Sequence, residues 1–490
     1  MPEYNVAISK INNIDYSKTP PYNPCKIYPE LKKHFGNCDL DVSNNAHTLL
    51  RNSFKLLSYD NVNFGMGNWN PLGWIIKPGE TVMINPNLLA HKHLYNDDWD
   101  YVITHGSVIR AVIDYAYIAL DGKGKILVAD GPQADSVIEK ILELTGINEI
   151  QKIYKKMFDF DIEFIDFRDE KLINTEGVTG EPIKLKGDPL GSVIINMATS
   201  SMFSELDKSD LPYYGCHYDI AKTQIHHTKG LHEYSICKTP LKADVFINLP
   251  KLKTHKKCGL TVNLKSLVGG VNADKNFLPH YVIGSPENGG DQFAKNSLKT
   301  SVENALVLKV KKYLAKNNNI VQFISRKLKN PAYKFFGDTS KVIRSGNWYG
   351  NDTVWRMCLD LNRILIYCNP DGTIDRKKKK KFISIVDGIA SMEGAGPNAG
   401  TRKNTGILII GDNPVSVDTV CARIMGFDER KIKIIYKSFE NHPLPLIEGN
   451  IDDIKVVSNV NIWNKNVTQI SYSDSLKFEP HFGWKDHIEL

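Results

Sequence analysis

The sequence predicts an α/β protein built on a mainly parallel sheet with helices on both faces, plus an inserted helical subdomain. Three observations predict it. Short apolar strands alternate with amphipathic helices over residues 81–165 and again over 352–425. Several strands end in polar turns, where open α/β sheets place their ligands. Between Asn296 and Phe336 the pattern turns helical and basic, with amphipathic runs such as Val307–Leu314.

In chain order, Asn5–Ile11 reads as a short first strand and Ala46–Leu57 as a helix with Leu49, Leu50, Phe54 and Leu57 on one side. Thr81–Ile84 is a buried strand followed by Asn85-Pro86-Asn87. Val108–Leu120 is a helix, Lys125–Ala129 a strand closed by Asp130-Gly131-Pro132, Ser136–Thr145 a helix ended by Gly146, and Asp161–Ile165 a strand. Gly180–Thr199 reads as β. Phe277–Phe293 reads as a loop and Asp352–Cys368 as a helix. Phe382–Val386 is a strand ending at Asp387-Gly388, and Gly394–Gly400 a flexible loop. Ile407–Ile410 is a strand ending at Gly411-Asp412, and Val415–Met425 a helix closed by Gly426. These elements divide the chain into an N-terminal segment (1–60), the first part of the α/β core (61–275), a helical insertion or lid (276–350), the second part of the core (351–440) and a C-terminal segment (441–490).

The stretch Ala243–Gly270 carries the chemistry. Val245, Ile247 and Leu249 alternate with more polar positions until Pro250, predicting a strand. Lys251, Lys253, His255, Lys256 and Lys257 follow and read as a basic loop. Leu260, Leu264, Leu267 and Val268 have helical spacing, with Gly269 and Gly270 as the stop. A cationic loop facing a helix N-terminus is an anion trap, because the first N–H groups and the dipole both favour negative charge.

With 490 residues the chain buries a large core, and 42% hydrophobic with 24% charged residues is an ordinary globular composition. A net charge of +7, spread along the chain, does not argue for nucleic acid. The basic run Arg376–Lys381 reads first as a solvated edge. The eight cysteines form no C-x-x-C pair, so no zinc ribbon or local iron–sulfur motif is encoded, and their dispersal fits a reducing compartment. No secretory h-region and no apolar run of roughly 20 residues is present, so a cytoplasmic protein without a transmembrane segment is expected. Rossmann, P-loop and nucleophile-elbow patterns are absent, and the cofactor is left unassigned.

Each candidate has a plain alternative. Lys251 and Lys253 are read as ligands of a phosphate or carboxylate, and His255 as an acid or base; the alternative is a solvated basic loop. Lys265 is a nucleophile or charge partner, or an exposed helix lysine. Asp387 and Asp412 follow strands and are carboxylate candidates; otherwise they are a turn residue and a helix N-cap. Glu393 and Asp418 join them as weaker carboxylates. Gly394 and Gly396 admit close backbone approach or belong to a mobile loop. Asn85, Asn87 and Asp130 lie at strand ends and would bind substrate. His91-x-His93 and His226-His227-x4-His232 leave a divalent or transition metal as an alternative, although neither has the spacing of a structural zinc site. His105 and Arg110 flank a helix start.

Three stretches together resemble the domain-of-unknown-function family 362. They are NPNLL at Asn85–Leu89, INLPKLKTH…GLTVNLKSLVGG at Ile247–Gly270, and VDGIASMEGAGPNAG…GDNPVSVDTVCARIMGF at Val386–Phe427. The resemblance spans roughly residues 75 to 430. It implies a fold and a site more than a reaction. Asn85 stands where the family's first motif usually has lysine, and the ferredoxin-like cysteine motifs of some relatives are missing. The N-terminal half is also similar, in pattern only, to nickel-dependent lactate racemase. The Asn- and Lys-rich composition with its insertion looks like versions found near bacterial surface-polysaccharide genes.

The expected function is a cytoplasmic enzyme that holds an anionic metabolite in a cleft and performs acid–base isomerisation or epimerisation. The alternatives are a transition-metal-dependent redox or racemase enzyme, and a non-catalytic protein docking nucleic acid or an anionic partner. The oligomeric state does not follow from the residues.

Overall fold

A computed structural model describes residues 3–12, 15–175, 178–206, 212–215, 220–297, 300, 302 and 342–490. Among the described residues, ten strands form the central sheet: β1 (Tyr4–Lys10), β2 (Thr81–Pro86), β3 (Lys125–Asp130), β4 (Ile162–Asp166), β5 (Val245–Leu249), β6 (Lys251–His255), β7 (Gly259–Thr261), β8 (Lys381–Glu393), β9 (Thr401–Gly411) and β10 (Ile454–Ser458). The order across it is β10-β1-β9-β8-β5-β2-β3-β4, with β6 pairing to β7 and β8. The run from β8 to β4 is parallel throughout, while β9 is antiparallel to both β1 and β8. The first and last segments of the chain therefore share one sheet with its centre.

Buried apolar runs explain this arrangement. Parallel strands covered on both faces carry hydrophobic residues at nearly every position. Val82, Ile84, Val245 and Ile247 face one core together with Leu49 and Phe54 of α1 (Ala46–Leu56) and Val108 and Val112 of α2 (Gly106–Leu120). Met83, Leu127 and Phe246 face the other core. There they meet Leu264 and Leu267 of α3 (Asn263–Gly270), Trp355 and Leu359 of α4 (Val354–Tyr367), and Val415 and Val420 of α5 (Pro414–Met425). The result is an α/β/α layering.

Four expectations change. Lys251–His255 is a strand, not a loop: it pairs parallel to β8 and antiparallel to β7. The strand expected to stop at Asp387 continues through a bulge near Gly388 to Glu393, so Asp387 lies mid-strand. The segment between β8 and β9 is anchored, with Gly394 N–H donating to Glu479 O at 2.8 Å and Lys256 N–H to Gly396 O at 3.1 Å. Within Phe277–Phe293, read as a loop, Pro279–Val282 is a strand flanked by short 3-10 turns, while most of the helical stretch expected over Asn296–Phe336 lies outside the described residues.

The basic run is a largely exposed edge, as read, with Arg376, Lys377, Lys379 and Lys381 exposed. Lys378 donates to Cys368 O, Lys380 to Leu241 O and Ala243 O, and Lys379 and Lys381 pair with Glu448 and Glu80. No helix among the described residues is long and apolar enough to cross a membrane.

Candidate functional site

A cleft of about 710 Å³ opens beyond the carboxyl ends of β2, β3 and β6. Asn87, Asp130, His255 and Lys265 line it. Asn87 follows β2 and is fixed by its backbone N–H, which donates to Thr104 Oγ1 and Leu249 O. Asp130 ends β3. Its Oδ2 accepts Leu88 N–H at 2.7 Å, and its Oδ1 lies 3.4 Å from the Asn85 side-chain amide. That amide also donates to Ala129 O at 2.7 Å, so Asn85 orients Asp130 from behind the cleft.

The floor is the end of α3. Gly131 N–H donates to Gly269 O at 3.0 Å. A Cβ on Gly269 would sit 2.4 Å from Asp130 Oδ1, and one on Gly270 2.2 Å from Asn85 Oδ1. The two glycines therefore admit a close helix-to-strand approach and lie inside the last turn, rather than capping the helix beyond its end as expected.

The anion trap expected at the start of this helix is already filled. Asp418 of α5 accepts Asn263 N–H and Asn263 Nδ2–H at 2.9 Å and Leu264 N–H at 3.0 Å. Burial lifts the Asp418 carboxyl to about 7, against the pull of those donors. The helix N-terminus thus binds an internal carboxylate, and Leu260, expected in the helix, belongs to β7.

Lys251 leaves the proposed binding set. It is fully buried and paired with Asp387 at 2.9 Å. Tyr16 Oη accepts from Lys251 at 2.7 Å and donates to Asp387 at 2.6 Å, while His105 N–H donates to Asp387 at 3.0 Å. Neither Lys251 nor Asp387 lines the cleft. Asp412 is also displaced: β9 runs antiparallel to β8, so its end points away from the cleft toward the start of β1. Asn413, not Asp412, caps α5, accepting Val415 and Ser416 N–H groups.

Lys253 lies just behind the lining. Its Nζ donates to Asn87 Oδ1 at 3.0 Å and Val102 O at 2.7 Å. Burial, then the charges of Lys265 and Lys251, hold its amine well below the usual lysine range. Burial and the lysines around it likewise hold His255 well below 6.5, while burial lifts Asp130 to about 6. Gly394 and Gly396 carry Pro397 and Asn398 into the lining; a Cβ on Gly396 would lie 2.0 Å from Thr254 O.

The remaining candidates are elsewhere. Glu393 pairs with Lys403 at 2.8 Å. His105 caps α2 and stacks between Tyr16 and Trp99, and Arg110 pairs with Asp114. His93 bonds Gly400 O, His226 bonds Glu233, and His227 bonds Phe277 O. Among the described residues, no group of three or more His, Cys, Asp or Glu side chains is placed to hold a metal ion. Sequence reasoning passed over Lys275, Arg344, Tyr95 and Asn398, which reach the lining from separate elements. Only the basic side chains of Lys275 and Arg344 carried a signal. Lys256, Lys257, Lys265, Lys275 and Arg344 oppose Asp130 and Asp135 there, an excess of positive charge.

Residues 188–423 match the family described as Domain of unknown function (DUF362). The match takes in His255 and Lys265, while Asn87 and Asp130 precede it. No curated protein matches the chain. Among solved structures, a Thermotoga maritima protein determined by a structural-genomics consortium is similar at 8% identity and a TM-score of 0.28, over 74% of this chain and 55% of that one. This chain therefore spans little more than half of that protein.

Proposed function

We propose that this chain is an enzyme that binds an anionic metabolite, phosphorylated or carboxylated, and moves a proton on it, as in isomerisation or epimerisation. One observation carries the reading: a cleft with an excess of cationic side chains also holds a carboxyl lifted to about 6 and an imidazole held low. Proton transfer at neutral pH favours groups whose pKa lies near the working pH. Asp130 would accept and return the proton, Lys265 would hold the anionic group, and His255 would bond the reacting oxygen. Lys253 and Asn85 would position Asn87 and Asp130.

The free thiols of the described residues fit a reducing cytoplasm, which is the location we infer. A role in surface-polysaccharide metabolism rests on the resemblance of composition alone.

Native mass spectrometry with elemental analysis, on untagged protein taken directly from cells, tests the reading. A retained phosphorylated or carboxylated metabolite, lost on Lys265→Ala, is the expected result. A stoichiometric transition metal with no such metabolite would overturn it in favour of a metal-dependent enzyme.

A further inference from the structure

His255 meets a backbone donor on one side of its ring. Lys257 N–H donates to His255 Nδ1 at 3.1 Å. A backbone N–H cannot turn its hydrogen away, so Nδ1 must present a lone pair. The Cys258 thiol lies 3.2 Å from the same nitrogen and also reaches Leu260 O at 3.3 Å. The turn that aims Lys257 N–H is itself held, by Lys256 N–H on Gly396 O and by Trp484 Nε1 on Lys256 O at 2.9 Å. With Nδ1 taken as an acceptor, the ring proton of the uncharged imidazole belongs to Nε2. His255 lines the cleft, and its ring's hydrogen bonds to the described residues are both made at Nδ1, which leaves the Nε2 N–H for a ligand.

We propose that the Lys257 backbone N–H locks His255 as the Nε2–H tautomer, and that His255 serves the cleft as a hydrogen-bond donor to a substrate oxyanion rather than as a base. Adding a proton at Nδ1 would set one N–H against another. The strongest charges acting on the ring point the same way: Lys265 from α3, Lys256 and Lys257 from the turn, and Lys253 from its own strand, all cationic. Cys258, whose thiol donates to Leu260 O, is not a nucleophile, because burial keeps it protonated and it does not line the cleft. The division of labour then follows. Asp130 takes a proton from carbon and returns it. The charge that develops on the adjacent oxygen meets His255 Nε2–H and the Lys265 ammonium. No oxidant or reductant is consumed.

The donor role rests on the anion-cleft reading; the tautomer does not. Full-length protein labelled with 15N-histidine tests the tautomer, with the His255 signals assigned by their loss in His255→Gln. We expect a lone-pair-type Nδ1 and a protonated Nε2 that do not titrate between pH 8 and about 5.5. An Nδ1–H ring, or one that charges above about pH 6, overturns the proposal. Calorimetry with inorganic phosphate tests the donor. Glutamine places an N–H near the position of Nε2, so His255→Gln should bind within about threefold of wild type, whereas His255→Leu should lose about tenfold or more. Equal losses in both variants overturn the donor role. Wild type that binds no phosphate removes the anion-cleft reading and the donor role with it, while the labelled ring still decides the tautomer.

Discussion

Lys251 and Lys253 stand two residues apart on β6, both buried, and meet different partners. Lys251 faces the Asp387 carboxylate; Lys253 faces the side-chain oxygen of Asn87 and a carbonyl. Removing one member of a buried ion pair leaves the other charge uncompensated, which costs about 3–5 kcal/mol. Lys251→Met should therefore lower unfolding free energy in urea by that much. Lys265→Met, on the partly exposed face of α3, should change it by less than about 1 kcal/mol. Equal losses would mean that Lys265 is as structural as Lys251. The alternation of Lys251, Lys253 and His255 was visible in the sequence, yet a row of basic residues reads as solvated. What makes it a strand is backbone pairing with β7 and β8, and what lets its lysines be buried is a set of acceptors 136 to 235 positions away: Tyr16, Asp387, Asn87 and Val102. Local pattern carries no information about such partners.

At the scale of elements, α3 shows how far periodicity reaches. Its apolar spacing located a helix, but Leu260 belongs to β7, because Gly259 with φ +84° turns the chain back along β6. The direction of β9 was equally hidden. A strand followed by Asp412 looks the same whether it points at the cleft or away from it. Strand ends at Asn87 and Asp130 were legible because short β–helix–β units force parallel pairing. The cap of α3 gives a pH prediction. Burial raises the folded pKa of Asp418 from 3.8 to about 7, so the native state binds more protons than the unfolded state between those values. Stability from this group is then present at low pH and is lost as pH rises toward 7. Asp418→Asn removes the titration and keeps an acceptor for the helix. It should gain on wild type as pH rises from 5 to 7, by no more than about 1.4 kcal/mol per unit, and then hold that gain. Denaturant curves of both proteins at pH 5, 6, 7 and 8 check this; a constant difference across them would show that Asp418 is ionised throughout.

For the whole molecule, the sheet ties both ends of the chain to the centre, since β1 and β10 pair with each other and β1 with β9. A ligand seated at the ends of β2 and β3 therefore stabilises one cooperative unit rather than a detachable lobe. Binding that favours the native state adds about 2.7 kcal/mol at a hundred times Kd. With an unfolding entropy scaled to this length, the melting temperature should rise by about 2–3 °C. Inorganic phosphate is the simplest probe, because Lys257 and Lys265 lie on the same cleft wall, between them acting on His255 and His280. Sodium chloride at equal ionic strength should give a smaller shift, since it screens the lysines without occupying the site. General salting effects of phosphate act on any folded chain, so the deciding comparison is Lys257→Ala/Lys265→Ala. Loss of the specific increment in that variant, with the chloride response retained, identifies the cleft as the site. An increment that survives both substitutions means that phosphate acts on the surface as a whole, and the cationic wall does not select the ligand.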